Sequence, residues 1–210
     1  MSEEVFIAGP EGVLEAAVER SKTPPSFIAL VCHPHPLHQG TMQNKVVTTL
    51  CRSAVRLGGA AIRFNFRGVG RSEGSYGGHD GALEDALAVV DWVGAEFTDP
   101  VSMAVCGFSF GGAIAYRVAA AHDVSALITV SPAFEHLPLV TRQPECPWLL
   151  VQGDSDDVIP APGVLEWAQG HKTPPELSLF ADTGHFFHGK LGRLGSVFSS
   201  FINKEMGISC

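Results

Sequence analysis

Two kinds of segment alternate in the pattern of hydrophobic and polar positions along this chain. Apolar runs without regular alternation, such as 27–32 and 126–130, are typical of strands buried on both faces of a parallel sheet. Other stretches, such as 44–56, repeat apolar residues every three or four positions and predict amphipathic helices. A chain that alternates such strands and helices is expected to form a mostly parallel sheet with right-handed crossover helices.

The predicted elements number about eight strands and five or six helices. Strands are predicted as an antiparallel pair within 5–19 around the turn 9–12, and then at 27–32, 60–65, 101–106, 126–130, 147–152 and 176–180. Helices are predicted at 44–56 with an N-cap at Thr41, at 82–97, directly after 107–111, at 162–169 and at 190–203. The glycine-rich stretch 74–81 is predicted to be mobile. We therefore expect one α/β domain over residues 1–210, with an eight-stranded sheet and helices on both faces.

One strand-to-helix junction has a composition suited to nucleophilic catalysis. Residues 107–111 read Gly-Phe-Ser-Phe-Gly, after a predicted buried strand and before a helix rich in small residues. A serine at the tip of such a turn is held in a strained conformation, and free N–H groups at the helix start favour an oxyanion. Ser109 is therefore the candidate nucleophile. The same five residues also fit an ordinary connection with a serine N-cap.

Carboxylate and imidazole side chains follow two later predicted strands. The loop after the first strand holds three aspartates and the loop after the second holds two histidines: Asp154, Asp156, Asp157, His185 and His188. Because parallel strands end at one edge of the sheet, these loops can meet Ser109. Asp156 is the preferred acid, since a residue deep in its loop can reach a histidine on the next strand; Asp154 and Asp157 are the alternatives. His185 is preferred over His188 because it directly follows a glycine-led turn.

The order serine, aspartate, histidine along the chain is the order used by α/β-hydrolases. On these motifs, nearly the whole chain resembles a small lid-less α/β-hydrolase, similar to the dienelactone-hydrolase-like and short carboxylesterase branches. The resemblance implies a catalytic triad of Ser109, Asp156 and His185. The chain departs from dienelactone hydrolases proper, which use a cysteine nucleophile.

The resemblance also implies an oxyanion hole built from two backbone amides. One is the amide of Phe110, which follows the nucleophile, and the other belongs to the loop at 33–37. Proline has no N–H, so Pro34 and Pro36 are excluded from that role. His35 is the first choice for the second donor and Leu37 the second.

Large apolar side chains near these loops are candidates for the walls of an acyl pocket. We expect substrate contacts from Leu37, Phe108, Phe134 and Phe186. Only 16 residues separate Val130 from Pro147, which leaves no room there for a cap domain. The pocket is therefore predicted to consist of strand-end loops alone.

Two other motifs resemble sites for a metal or a nucleotide. His33, His35 and His38 form an H-x-H-x-x-H cluster that could hold zinc, but its interleaved prolines restrict the backbone and its loop adds no cysteine or carboxylate. Residues 67–72 begin like a dinucleotide loop, but Glu73 stands where a third glycine is required. They also resemble the R-G-x-G-x-S turn common among α/β-hydrolases. We expect no metal and no cofactor.

Charge and cysteine content limit the classes of partner and the cellular compartment that we expect for this chain. The net charge of −8, with no cluster of lysine and arginine, argues against nucleic acid and anionic membranes as partners. The acidic start of the chain lacks the features of a signal peptide, and five scattered cysteines favour a reducing cytoplasm over a disulfide framework. A monomer or homodimer is expected.

These observations predict a hydrolase of small carboxylic esters that works through an acyl-enzyme intermediate. Thioesters and peptides are alternative substrates for the same three residues. A non-catalytic receptor that kept the fold is the alternative from another functional class, because fold does not determine function.

Overall fold

The apolar runs form one central sheet in the computed structural model, which describes residues 2–97, 102–134, 137 and 142–208. The strands are β1 (Ser2–Gly9), β2 (Gly12–Arg20), β3 (Phe27–Cys32), β4 (Ala60–Phe64), β5 (Ser102–Phe108), β6 (Ala126–Val130), β7 (Trp148–Gly153) and β8 (Glu176–Phe180). They lie in the order β1-β2-β4-β3-β5-β6-β7-β8. β1 pairs antiparallel with β2 and β2 with β4, whereas every other pair is parallel. This arrangement confirms the predicted eight-stranded, mostly parallel sheet.

Helices cover both faces of this sheet, as predicted. They are α1 (Lys45–Arg56), α2 (Gly78–Glu96), α3 (Phe110–Ala121), α4 (Ala161–Gln169) and α5 (Leu191–Met206), with a short 3₁₀ turn at Pro36–His38. α1 and α5 share one apolar core layer with the sheet, and α2, α3 and α4 share the other. Successive residues of β3 point into alternate layers, which is why the whole strand is apolar. No helix among the described residues is long and apolar enough to span a membrane.

Several element boundaries differ from the predicted ones by one to four residues. The N-cap of α1 is Asn44, whose side chain accepts from the amide of Val46 (2.8 Å), whereas Thr41 caps a turn just before it. α2 begins at Gly78, so residues 78–81, predicted to be mobile, form its first turn. β5 continues to Phe108, two residues beyond the predicted end. The predicted strand start at 101 lies outside the described residues.

The glycine-containing turn after β4 connects the sheet to α2. Arg67 is buried, and its backbone N–H and Nε each donate to the buried carboxylate of Asp85 over 2.8 Å. Gly68 and Gly70 have φ values of 76° and 58°, which glycine adopts without strain. The turn thus serves backbone geometry and an internal ion pair.

Candidate active site

Ser109 stands between the end of β5 and the start of α3 in a sharp turn. Its φ of 57° and ψ of −121° are unusual for a residue with a side chain and cost about 1–3 kcal/mol. The amide of Ser109 donates to the carbonyl of Val130 over 2.9 Å, and its own carbonyl accepts from the amides of Gly112 (2.9 Å) and Ala133 (3.1 Å). Neighbouring backbone therefore holds the strained turn in place.

The glycines on either side of Ser109 are required by close backbone contacts. A Cβ atom at Gly107 would overlap the carbonyl of Gly111, and one at Gly111 would overlap the carbonyl of Cys32 at the end of β3. The first turn of α3 therefore packs directly against the start of the loop that follows β3. This packing explains the G-x-S-x-G sequence by sterics.

Ser109, His185 and Asp156 form a continuous hydrogen-bonded chain. His185 Nε2 lies 3.0 Å from Ser109 Oγ, and His185 Nδ1 lies 2.8 Å from Asp156 Oδ2. With the proton on Nδ1, the imidazole donates to Asp156 and accepts from the Ser109 hydroxyl. All three side chains are buried. This is the arrangement in which a histidine can take a proton from a serine and an aspartate can stabilise the resulting charge.

The alternative acids and the alternative base lie outside this chain of contacts. Asp154 and Asp157 are exposed, and Asp154 Oδ1 accepts from the hydroxyl of Ser155 over 2.9 Å. His188 is also exposed. Of the candidate acids and bases in the sequence, the structure places His185 in contact with Ser109 and Asp156 in contact with His185.

The Asp156 carboxylate is held by donors on both oxygens. Oδ1 accepts from the amides of Val158 (3.0 Å) and Ile159 (2.7 Å), and Oδ2 accepts from Gln152 Nε2 (3.3 Å) as well as from His185. Burial alone raises the pKa of Asp156, but hydrogen bonds from His185 and Ile159 hold the pKa below its ordinary value. Asp156 therefore presents a negative charge to the imidazole at neutral pH.

His33 connects the loop after β3 to the end of β4. Its ring Nδ1 donates to the carbonyl of Pro34 over 2.6 Å, and its Nε2 accepts from the amide of Phe66 over 3.1 Å. Burial lowers the pKa of His33 to about 4, so the ring is neutral at pH 7. Because both nitrogens are used within the protein, this ring is not available to a metal. Among the described residues no group of three or more His, Cys, Asp or Glu side chains is placed to hold a metal ion.

His33 is expected to make the fold sensitive to acid. An unfolded histidine binds its proton near pH 6.5, whereas native His33 does so only near pH 4. Stability from this group is therefore complete above about pH 6.5 and decreases by about 2 to 3 kcal/mol on acidification to about pH 4.5. Urea unfolding at pH 7 and at pH 4.5 measures this loss. His33→Asn should lose correspondingly less stability over the same window, while the exposed-site variant His122→Asn should follow the wild type; equal losses in all three proteins would contradict the prediction.

His35 organises the same loop beside the start of α3. Its Nδ1 accepts from the amide of Leu37 over 3.2 Å, its Nε2 lies 3.1 Å from the hydroxyl of Tyr76, and its ring centroid lies 4.8 Å from that of Phe110. The amide of Leu37, the second choice as oxyanion donor, is thus engaged by the imidazole. The loop that carries the backbone of His35 lies next to Phe110, the other expected donor.

The family model that matches this chain is described as serine aminopeptidase, S33, and it covers residues 28–146. The chain belongs to this family of α/β serine hydrolases. An α/β serine hydrolase homologue from Coxiella burnetii is 41% identical, with a TM-score of 0.89 and coverage of 94% of this chain and 96% of that one. A lid-less α/β serine hydrolase from Xanthomonas campestris is 35% identical, with a TM-score of 0.91 and coverage of 97% and 94%. An uncharacterized protein of Rickettsia prowazekii is 30% identical over 210 residues, which cover 95% of this chain and 88% of the relative.

These comparisons confirm the resemblance to lid-less α/β-hydrolases. The match to the family model contains the serine turn at residues 107–111 but ends before Asp156 and His185. The contacts of those two residues with Ser109 are therefore independent of the match.

Two of the four predicted pocket residues lie inside the protein instead of at its surface. Phe108 is fully buried, with its ring centroid 4.8 Å from that of His185, so it packs against the imidazole. Phe134 is 3% exposed and stacks on Trp167 with ring centroids 3.8 Å apart. The expectation that these two residues wall a pocket is corrected, because proximity in sequence to a catalytic loop does not determine the direction of a side chain.

The other two predicted pocket residues are exposed. Leu37 is 67% exposed and Phe186, adjacent to His185, is 49% exposed. Val158, two positions after Asp156, is also exposed and was not predicted. Large apolar side chains thus remain accessible on three of the loops that carry the site.

Two buried polar residues near Asp156 were not predicted from the sequence. Gln152 contacts the carboxylate from the end of β7, and Ser131, directly after β6, has a fully buried side chain whose hydroxyl contributes to lowering the pKa of Asp156. Ser131 also has an unusual φ of 39°. The signal in the sequence was a polar residue at the end of each otherwise apolar strand.

Proposed function

We propose that this protein hydrolyses small carboxylic esters through an acyl-enzyme intermediate. The observation that carries the proposal is the buried hydrogen-bonded chain from Ser109 through His185 to Asp156, with 3.0 Å and 2.8 Å between the bonded atoms. His185 takes the proton from Ser109 Oγ as it attacks the ester carbonyl, and Asp156 stabilises the protonated imidazole. His185 then gives the proton to the leaving alcohol, and water releases the acid by the same steps.

Two backbone amides are proposed to stabilise the oxyanion of this reaction. Phe110 is the first residue of α3, so its N–H points out of the helix end beside Ser109. The amide of His35 is the second proposed donor. The packing of its loop against the first turn of α3 supports this assignment.

Labelling with a fluorophosphonate tests the proposed function directly, because the reagent phosphonylates an activated serine but not an ordinary one. We expect one adduct per chain, on the peptide that contains Ser109, and none in Ser109→Ala. Absence of labelling in correctly folded protein would refute the enzyme hypothesis and favour the non-catalytic receptor.

A peptidase is the second candidate, because the matching family model is described as a serine aminopeptidase. The same three residues can attack an amide. Rates on aminoacyl p-nitroanilides, p-nitrophenyl esters and acyl thioesters separate the possibilities. Faster turnover of the anilides than of the esters would replace the esterase proposal. A cytoplasmic location and a monomeric or homodimeric state remain predictions from composition.

The proposed esterase is expected to prefer short acyl groups. Ser109 lies among strand-end loops, and a long acyl chain would extend past the exposed side chains of Leu37 and Phe186 into water. Methylene groups that stay in water add nothing to transition-state binding, so kcat/KM should be highest at roughly two to six acyl carbons. Monomeric p-nitrophenyl esters from acetate to palmitate test this. A maximum at about twelve carbons or more would show that an apolar groove extends beyond these loops.

A further inference from the structure

Gln152 lies at the end of β7, four positions before Asp156, and its side chain is fully buried. Its Nε2 lies 3.0 Å from the carbonyl oxygen of Ile159 and 3.3 Å from both the carbonyl oxygen of Gly153 and Asp156 Oδ2. All three neighbours are acceptors, so this end of the amide must be the NH₂ group. Gln152 therefore connects the start, the middle and the end of the loop that carries Asp156.

The other end of the Gln152 amide makes glutamine a poor choice for stability alone. Its Oε1 is buried and has no hydrogen-bond partner among the described residues. A buried carbonyl without a partner destabilises a fold, and an apolar side chain of similar shape would avoid that penalty. The contacts of Nε2 are thus the physical reason for a glutamine at this position.

Asp156 Oδ2 accepts hydrogen bonds from two side chains. His185 Nδ1 lies 2.8 Å away and Gln152 Nε2 lies 3.3 Å away. The Gln152 N–H dipole therefore shares the negative charge that faces the imidazole. The neutral hydroxyl of Ser131, directly after β6, also lowers the pKa of this carboxylate, and the other two charged side chains of its loop, Asp154 and Asp157, are exposed.

We propose that Gln152 is a positioning residue that helps to hold the Asp156 carboxylate at hydrogen-bonding distance from His185. Its Nε2 fixes the loop that carries Asp156 (the acid loop, residues 153–159) by donating to the carbonyls of Gly153 and Ile159. It also limits how strongly Asp156 Oδ2 attracts the protonated imidazole of His185. This inference rests on the proposed function, because it requires Asp156 and His185 to take part in the reaction.

Gln152→Met tests the proposal, because methionine keeps the length of the side chain but removes both Nε2 and Oε1. We expect kcat on a short ester to fall about tenfold with KM changed less than about twofold. The acid limb of the pH profile of kcat/KM should move up by about half a pH unit or more, since the amides of Val158 and Ile159 still hold Asp156 at Oδ1 while Oδ2 loses the Gln152 donor that competes with the imidazole. The thermal midpoint should fall only slightly, because the unpartnered Oε1 is lost together with the Nε2 donor and the two effects oppose each other.

Thr129→Val is the matched control from the neighbouring strand. Thr129 is fully buried and its hydroxyl accepts from Trp148 Nε1 over 3.0 Å, away from Asp156. Loss of this hydroxyl should lower the thermal midpoint without moving the acid limb of the pH profile of kcat/KM. Gln152→Glu is a second variant: burial among three acceptors keeps its carboxyl protonated, so it retains one donor and should reduce kcat and move the acid limb less than Gln152→Met does.

Each rate is divided by the fraction of chains that a fluorophosphonate labels at completion, so that unfolded protein does not affect the comparison. A lower thermal midpoint with an unchanged acid limb in Gln152→Met would assign Gln152 a purely structural role and overturn the proposal. Wild-type kinetics in that variant would also overturn it and leave the proposed function intact. If the wild type itself is neither labelled nor active, the proposed function fails and this inference fails with it.

Discussion

Replacing Ser109 with alanine is expected to lower kcat/KM for a short p-nitrophenyl ester by about 10³-fold or more. Ser109 Oγ is the proposed attacking atom and lies 3.0 Å from His185 Nε2. Residues of such a triad act as a unit, so loss of the nucleophile removes most of their joint contribution. Stability should change little, because alanine experiences the same backbone strain at a φ of 57° as serine does.

Steady-state kinetics and a thermal midpoint measured on the same preparation test this prediction. Ser155→Ala is the control, since Ser155 is an exposed serine on the loop that carries Asp156. It should keep wild-type rates within about twofold, as surface substitutions away from the reacting groups do. Near-normal turnover in folded Ser109→Ala would rule out Ser109 as the nucleophile.

Asp156→Asn should have an effect of similar size or larger, about 10⁴-fold in kcat. The amides of Val158 and Ile159 both donate to Oδ1, so the asparagine oxygen is expected to take that position and leave its NH₂ group facing His185. A donor at that place favours the tautomer of His185 with its proton on Nε2, which cannot accept from Ser109. The variant also lacks the negative charge that stabilises the protonated imidazole.

The same loop offers two matched controls for Asp156→Asn. Asp154→Asn and Asp157→Asn remove the same charge from exposed positions, and we expect rates within about threefold of wild type. If one of these variants lost activity while Asp156→Asn kept it, the acid of the reaction would have to be reassigned to that residue. All three proteins should be compared at equal ionic strength, since screening affects the exposed charges most.

Most of the fold was predictable because its signals are local. The buried strands are short apolar runs, and the helices between them repeat apolar residues at helical spacing. The errors occurred where two local signals compete. Thr41 and Asn44 are both good caps, and the choice depends on where α1 packs against the sheet. Likewise, residues 78–81 contain glycines that favour a loop, yet they become helical where Arg67 packs against Gly81.

The sequence by itself determined the order of elements, the serine turn with its obligatory glycines, and the set of acids and bases that follow later strands. Only the tertiary structure decided which aspartate faces the histidine, that Phe108 and Phe134 pack inside, and that Gln152 reaches the acid loop. The reason is distance along the chain: His185 lies 76 positions from Ser109 and 29 from Asp156. Contacts over such separations depend on how the strands are placed in the sheet and where each side chain points, which no local pattern specifies.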